Sequence, residues 1–193
     1  MLKSLVLGTI LGGVVAFIWS SISWEVLPWH EQGFYIFQND EEVSAVIASH
    51  ITESGNYILP GRPPMEGMNA EQKKTLETTL MAKMQKGPVM FAAIRRGGFG
   101  SFAAGLIKQF LILAAGAFLL TWLLLQTSGL GYGQRVIFLA VAGLAASIVS
   151  DLPNWNWWGF SGSYTAVMVA DSTLTWLFAG LVIAKVARGK TAS

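Results

Sequence analysis

"LIKQFLILAAGAFLLTWLLLQ", Leu106 to Gln126, decides how the rest of the chain is read. As a helix it would extend about 32 Å, enough to cross the hydrocarbon core of a bilayer. Its one charge, Lys108, sits two residues from its start. A run this long and this apolar reads as a transmembrane helix.

Working outward, three more runs fit the same pattern. Ser4 to Ser20 follows Lys3 and is short for a span. A positive start and a short apolar core also describe a signal peptide. Trp19, Trp24 and Trp29 follow it, however, in place of a small-residue cleavage site, so an uncleaved signal anchor is expected. Val136 to about Leu152 and Tyr164 to Ala184 give the third and fourth spans. The connections "TSGLGYGQ" and "PNWNWWGFSGS" are short, which predicts antiparallel neighbours among spans two to four.

Composition agrees. Of 193 residues, 53% are hydrophobic and only 12% charged, about half the charge of an ordinary soluble domain. Of the 11 acidic residues, all but Asp151 and Asp171 lie between Glu25 and Glu77. A polar segment is therefore enclosed by apolar ones. The net charge of +2 does not indicate nucleic acid, because the basic residues form no stripe with interleaved aromatics. With no cysteine, disulfides, thiolate nucleophiles and zinc–thiolate sites are excluded.

Orientation follows from the short loops. Lys3, Arg135, Lys185, Arg188 and Lys190 fall on one side of a four-span arrangement, and residues 153–163 on the other carry no Lys or Arg. This asymmetry places both termini in the cytoplasm of a plasma (bacterial inner) membrane. Trp19, Trp24 and Trp29, with Trp155, Trp157 and Trp158, then map to the outer interface, where His30 also lies. Indole favours that zone, having an apolar ring and a donor that needs a partner. The aromatic surface reads first as an anchoring belt, and second as a docking surface for a lipid or another subunit. Gly8 and Gly12 make a small-xxx-small face, as expected where helices pack closely.

The polar segment alternates helix and strand signals. "FYIF" (Phe34 to Phe37) is β-prone; Asn39 begins a helix with Val43, Val46, Ile47 and Ile51 in register; "NYILP" is a short strand. Asn69 caps a second helix whose stripe is Leu76, Leu80, Met81 and Met84, and "VMFAAI" makes a last strand. The expected fold class is thus a mainly α membrane protein. It has four transmembrane helices and a small α/β domain, β-α-β-α-β, inserted extracytoplasmically between the first two spans. The expected divisions are 1–24, 25–100 and 101–190.

Few residues point to chemistry. His30 and His50 with Met65, Met68, Met81 and Met84 are soft ligands of the kind copper takes. Met81 and Met84 lie on the expected core stripe, however, and Met fills cores readily, so no metal or cofactor is assigned. Nor is there a nucleophile elbow, a zinc-protease motif or a phosphate loop. Asp171 stands out, because an ionisable residue inside a span must face protein or water. The partners considered are Lys108, which could instead snorkel to the interface, and the hydroxyls of Ser147, Ser172 and Thr175.

These features favour a non-catalytic accessory, assembly or scaffold subunit whose external domain contacts a partner, another membrane protein or a second copy. A small transporter or channel component using Asp171 and Lys108 is the alternative, and a membrane-embedded enzyme the least favoured. Transport predicts a polar cavity reaching Asp171; a scaffold predicts a dry bundle.

Overall fold

The structure, a computed structural model, describes residues 1–187. Two of the basic residues used above for orientation, Arg188 and Lys190, lie outside them. The described residues contain six α-helices and two strands: α1 (Leu2–Glu25), α2 (Asp40–His50), β1 (Gly55–Leu59), α3 (Ala70–Lys86), β2 (Met90–Ile94), α4 (Phe102–Gln126), α5 (Tyr132–Trp158) and α6 (Gly162–Val186). Helices α1, α4, α5 and α6 are each long and apolar enough to cross a membrane. The chain divides into two units: Met1–Tyr35 with Ser101 onward, and Ile36–Gly100.

In the first unit α1 packs against both α4 and α6, and α6 against both α1 and α5, whereas α4 and α5 scarcely touch. The antiparallel neighbours expected from the short 127–131 connection are therefore not what forms. The small residues explain why. Gly8, Gly12 and Ala16 make one buried face of α1. A Cβ on Gly8 would stand 2.5 Å from Thr121 of α4, and one on Gly12 would stand 2.6 Å from Ile183 of α6. Without side chains there, α1 lies close to both helices at once. The core it completes is Ala16, Ala117, Leu124, Leu139, Ala179 and Ile183.

Trp176 of α6 takes the place of a contact between α4 and α5. Its indole lies against Gly116 on α4 and Gly143 on α5. An added Cβ at Gly116 would meet Trp176 Cη2 at 2.5 Å, and one at Gly143 would be closer than 3 Å to Cβ and Cγ.

Helix α5 extends past the expected stop at Leu152, through Pro153 to Trp158. Proline removes one helical donor, here the one that would bond the Val149 carbonyl, and one missing bond does not end a helix whose flanking turns are intact. At the next position Asn154 Nδ2 donates to Ser150 O at 3.0 Å. Gly159, at φ 72°, then ends the helix in the left-handed conformation that glycine adopts without penalty. At the opposite end of this unit Arg135 Nη1 donates to Ala187 O at 3.2 Å, closing the C-terminus of α6 with a cation.

The Ile36–Gly100 unit has a single two-stranded antiparallel sheet, with Gly55 opposite Ile94 and Leu59 opposite Met90. The strand expected at "FYIF" does not form. Aromatic β-propensity reflects fit to a pleated surface with a neighbouring strand, and no strand is there to pair with it. Asn39 accepts from Glu42 N at 3.2 Å, and Asn69 from Gln72 N at 2.9 Å, the latter as a reciprocal capping box. Neither helix of this unit contains a buried residue. Met81 and Met84, expected on a core stripe, are exposed, and Ile51 is the buried apolar side chain of the unit.

Candidate functional site

Asp171 lies nine residues into α6, roughly 14 Å along the axis, and is only 7% exposed. Three residues from the end of α1 and the turn after it converge on it. Trp19 Nε1 donates to Oδ1 at 2.8 Å. His30 Nε2 stands 3.6 Å from Oδ2. Ser23, wholly buried, places Oγ 3.0 Å from the same His30 nitrogen, and Trp29 Nε1 donates to that hydroxyl at 3.1 Å. The turn after Glu25 folds back over the helix end, and Trp24 lies flat on the His30 ring at 3.8 Å between centroids.

The expected partners of Asp171 are replaced. Lys108 is exposed on α4 and forms an ion pair with no acid among the described residues. Thr175 donates to the backbone carbonyl of Asp171, not to its carboxylate, and Ser147 donates to Asp151.

Burial holds the His30 imidazole below its ordinary pKa of 6.5, and the Asp171 carboxylate opposes that shift only in part. His30 Nδ1 is buried with no hydrogen-bond partner. An imidazolium would need an acceptor at both nitrogens, so the neutral ring fits this pocket. Of its tautomers, the one protonated on Nε2 directs that hydrogen toward Ser23 and Asp171 and leaves only a lone pair unmet.

Ser23, His30 and Asp171 name a familiar catalytic set, but their arrangement does not serve it. In a hydrolase relay the serine and the acid address opposite imidazole nitrogens, so that a proton is accepted on one side and the cation steadied on the other. Here both face Nε2. Ser23 is also wholly buried and accepts from Trp29.

Beside this cluster is a cavity of about 800 Å³. Ser20, Ser21, Trp24 and Glu25 line it from α1, Phe102 and Gln109 from α4, Asp151 from α5, and Asp171, Ser172 and Thr175 from α6. It occupies the space where α4 and α5 fail to meet, with Trp176 among its walls. The arrangement can hold a molecule of small-metabolite size between apolar walls and a few polar groups.

The remaining sequence candidates divide. Trp29 and His30 turn inward to the cluster, while Trp155, Trp157 and Trp158 at the end of α5 are exposed. Gly8 and Gly12 face α4 and α6. His50 is exposed at the end of α2. Among the described residues no group of three or more His, Cys, Asp or Glu could hold a metal ion. The roles of Trp19 and Ser23 were not anticipated. No family model matches the chain, and neither the curated proteins nor the solved structures include a match.

Proposed function

We propose that the protein is a small solute-handling membrane component, of the transporter or channel type, that takes its solute into the cavity beside Asp171. The observation that carries this reading is the cavity itself. A bundle serving only as a scaffold has no need of an open, partly polar space reaching a buried carboxylate within a span. Lys108, exposed on α4, has no part in this version of the reading.

Because the chain has no native cysteine, any introduced thiol is the only one. Ser172→Cys should react in intact membranes with a water-soluble methanethiosulfonate, since the reaction needs a hydrated thiolate. Ile112→Cys, exposed on α4 and not among the cavity walls, should be protected by lipid. Equal protection of both thiols would mean a dry bundle and would end the solute-handling reading.

The membrane is read as a plasma (bacterial inner) membrane, with both termini cytoplasmic and the Ile36–Gly100 unit outside. Supporting this are Lys3, Arg135 and Lys185 near one set of helix ends, and exposed Trp155, Trp157 and Trp158 at the end of α5. A reporter active only in the cytoplasm should work when fused after Ser193 and fail when inserted near Glu66. The reverse pattern would invert the topology.

An accessory or scaffold role is the second reading, favoured by the thin core of the Ile36–Gly100 unit. Val46, Ile58, Leu59, Met81 and Met84 are all exposed there, and such surfaces suit a partner protein or a second copy.

A further inference from the structure

We propose that the occupant of the Asp171 cavity is an amine: a molecule with an ammonium group and an apolar body, either a free lipophilic amine or the headgroup of an amine-bearing lipid. This rests on the solute-binding reading above and specifies its ligand.

The sign of the charge comes from the walls. Glu25, Asp151 and Asp171 all line the cavity, and among the described residues no Lys, Arg or His does. Among the described residues Asp171 accepts a side-chain hydrogen bond only from Trp19, whereas a carboxylate has about four acceptor positions. The neighbouring His30 nitrogen, at 3.6 Å, is beyond hydrogen-bonding reach, and a neutral ring supplies no counter-charge. A buried carboxylate is stabilised by a cation that also donates hydrogen bonds, and an ammonium does both.

An organic cation fits better than a bare metal ion. The acidic side chains do not form a chelating group. About 800 Å³ far exceeds what an ion needs and falls within the range of small-molecule sites. The aromatic walls Phe17, Trp24, Phe102 and Trp176 suit an apolar body and can face a cation with their rings. A free amine and a lipid headgroup share this chemistry.

The test uses the full chain in neutral detergent. Benzylammonium should raise its thermal unfolding midpoint by several degrees, because a ligand bound only by the folded state stabilises it. Benzoate, a ring of similar size with the opposite charge, should not. The shift should fall by at least half in Asp151→Asn, a half-buried cavity wall that bonds to Ser147 and takes no part in the hydrogen bonds joining Trp19, Ser23, Trp29 and His30, so the result does not depend on a variant that fails to fold. With Ser172→Cys, a cationic methanethiosulfonate should react about tenfold faster than an anionic one, since a cleft of one sign concentrates its counter-ion.

Reconstitution separates the two sources. In bilayers containing phosphatidylethanolamine, a bound lipid would already raise the midpoint and the added cation would do nothing further; in phosphatidylcholine alone the shift would return. A shift that persists equally in both bilayers identifies a free amine, and either pattern supports the proposal. An equal response to benzoate, or no response to either probe while Ser172→Cys still reacts, would overturn the amine assignment and leave the solute-binding reading standing. An unreactive Ser172→Cys would remove both.

Discussion

Asp171→Ala should lower the thermal unfolding midpoint in detergent by roughly 5–10 °C, the consequence of stranding a buried donor. The Trp19 indole N–H loses its acceptor at 2.8 Å. Asp171→Asn should cost less, because the amide oxygen can still accept from Trp19. Acid sharpens the comparison. The folded chain holds His30 below its ordinary pKa, so the unfolded chain takes up the proton more readily. The associated stability is complete above pH 6.5 and is lost as the pH falls through the depressed value. Asp171 is the group that raises the His30 pKa, so Asp171→Asn should lose more stability on acidification than the native chain does. Unfolding midpoints of the three proteins across pH 5–8 would check both parts. If Asp171→Ala unfolded with the native midpoint, the cluster would have no structural role.

Gly143→Ala is the second large effect, and its sign is the informative part. Replacing a helical glycine by alanine ordinarily stabilises by about 0.5–1 kcal/mol. At Gly143 it should destabilise by about 1–3 kcal/mol, because the new methyl overlaps the Trp176 side chain. The indole cannot swing aside, since Gly116 of α4 holds its far edge with equally little clearance. Gly133, ten residues from Gly143 on the same helix, has no atom within 4 Å of its would-be Cβ, and Gly133→Ala should be neutral or stabilising. Pairing Gly143→Ala with Trp176→Leu should recover most of the loss, a coupling expected only of residues in contact. Additive losses in the double variant would show that Trp176 is not what occupies the space beside Gly143.

The four long helices were legible because each contains a long apolar run at or near the length a bilayer requires, a signal that depends on composition alone. Their ends were less so. Pro153 reads as a stop, and nothing local shows that the helix runs on until Gly159 ends it. Helix order was not legible either, since a short loop requires two helices to be close at one end but not to pack along their length. In the smaller unit the asparagine caps at 39 and 69 act within four residues and could be read directly; the failed strand at residues 34–37 depended on a partner elsewhere. The site shows the same division. Asp171 announced itself by a charge in an apolar run. Its partner Trp19 is 152 residues away, and the tryptophan-rich stretch read as an interfacial belt equally well describes residues that turn inward. One signal was available: Ser23 and His30 are seven residues apart across Leu27-Pro28, a spacing that a chain reversal after the helix brings together.

The sparse contact between α4 and α5 bears on how the molecule is made. Helices leave the ribosome in the order α1, α4, α5, α6, yet the interfaces join α4 to α1, α1 to α6 and α6 to α5. During synthesis α5 enters the membrane tethered to α4 but with almost nothing to rest against, its Gly143 and Ser147 side open to lipid. Only α6, the last helix to arrive, supplies that side with a neighbour, and it brings Asp171 and Trp176 with it. The buried carboxylate therefore meets Trp19 and His30, made more than a hundred residues earlier, at the same step that gives α5 its partner. Assembly of the bundle and completion of the polar cluster become one late event.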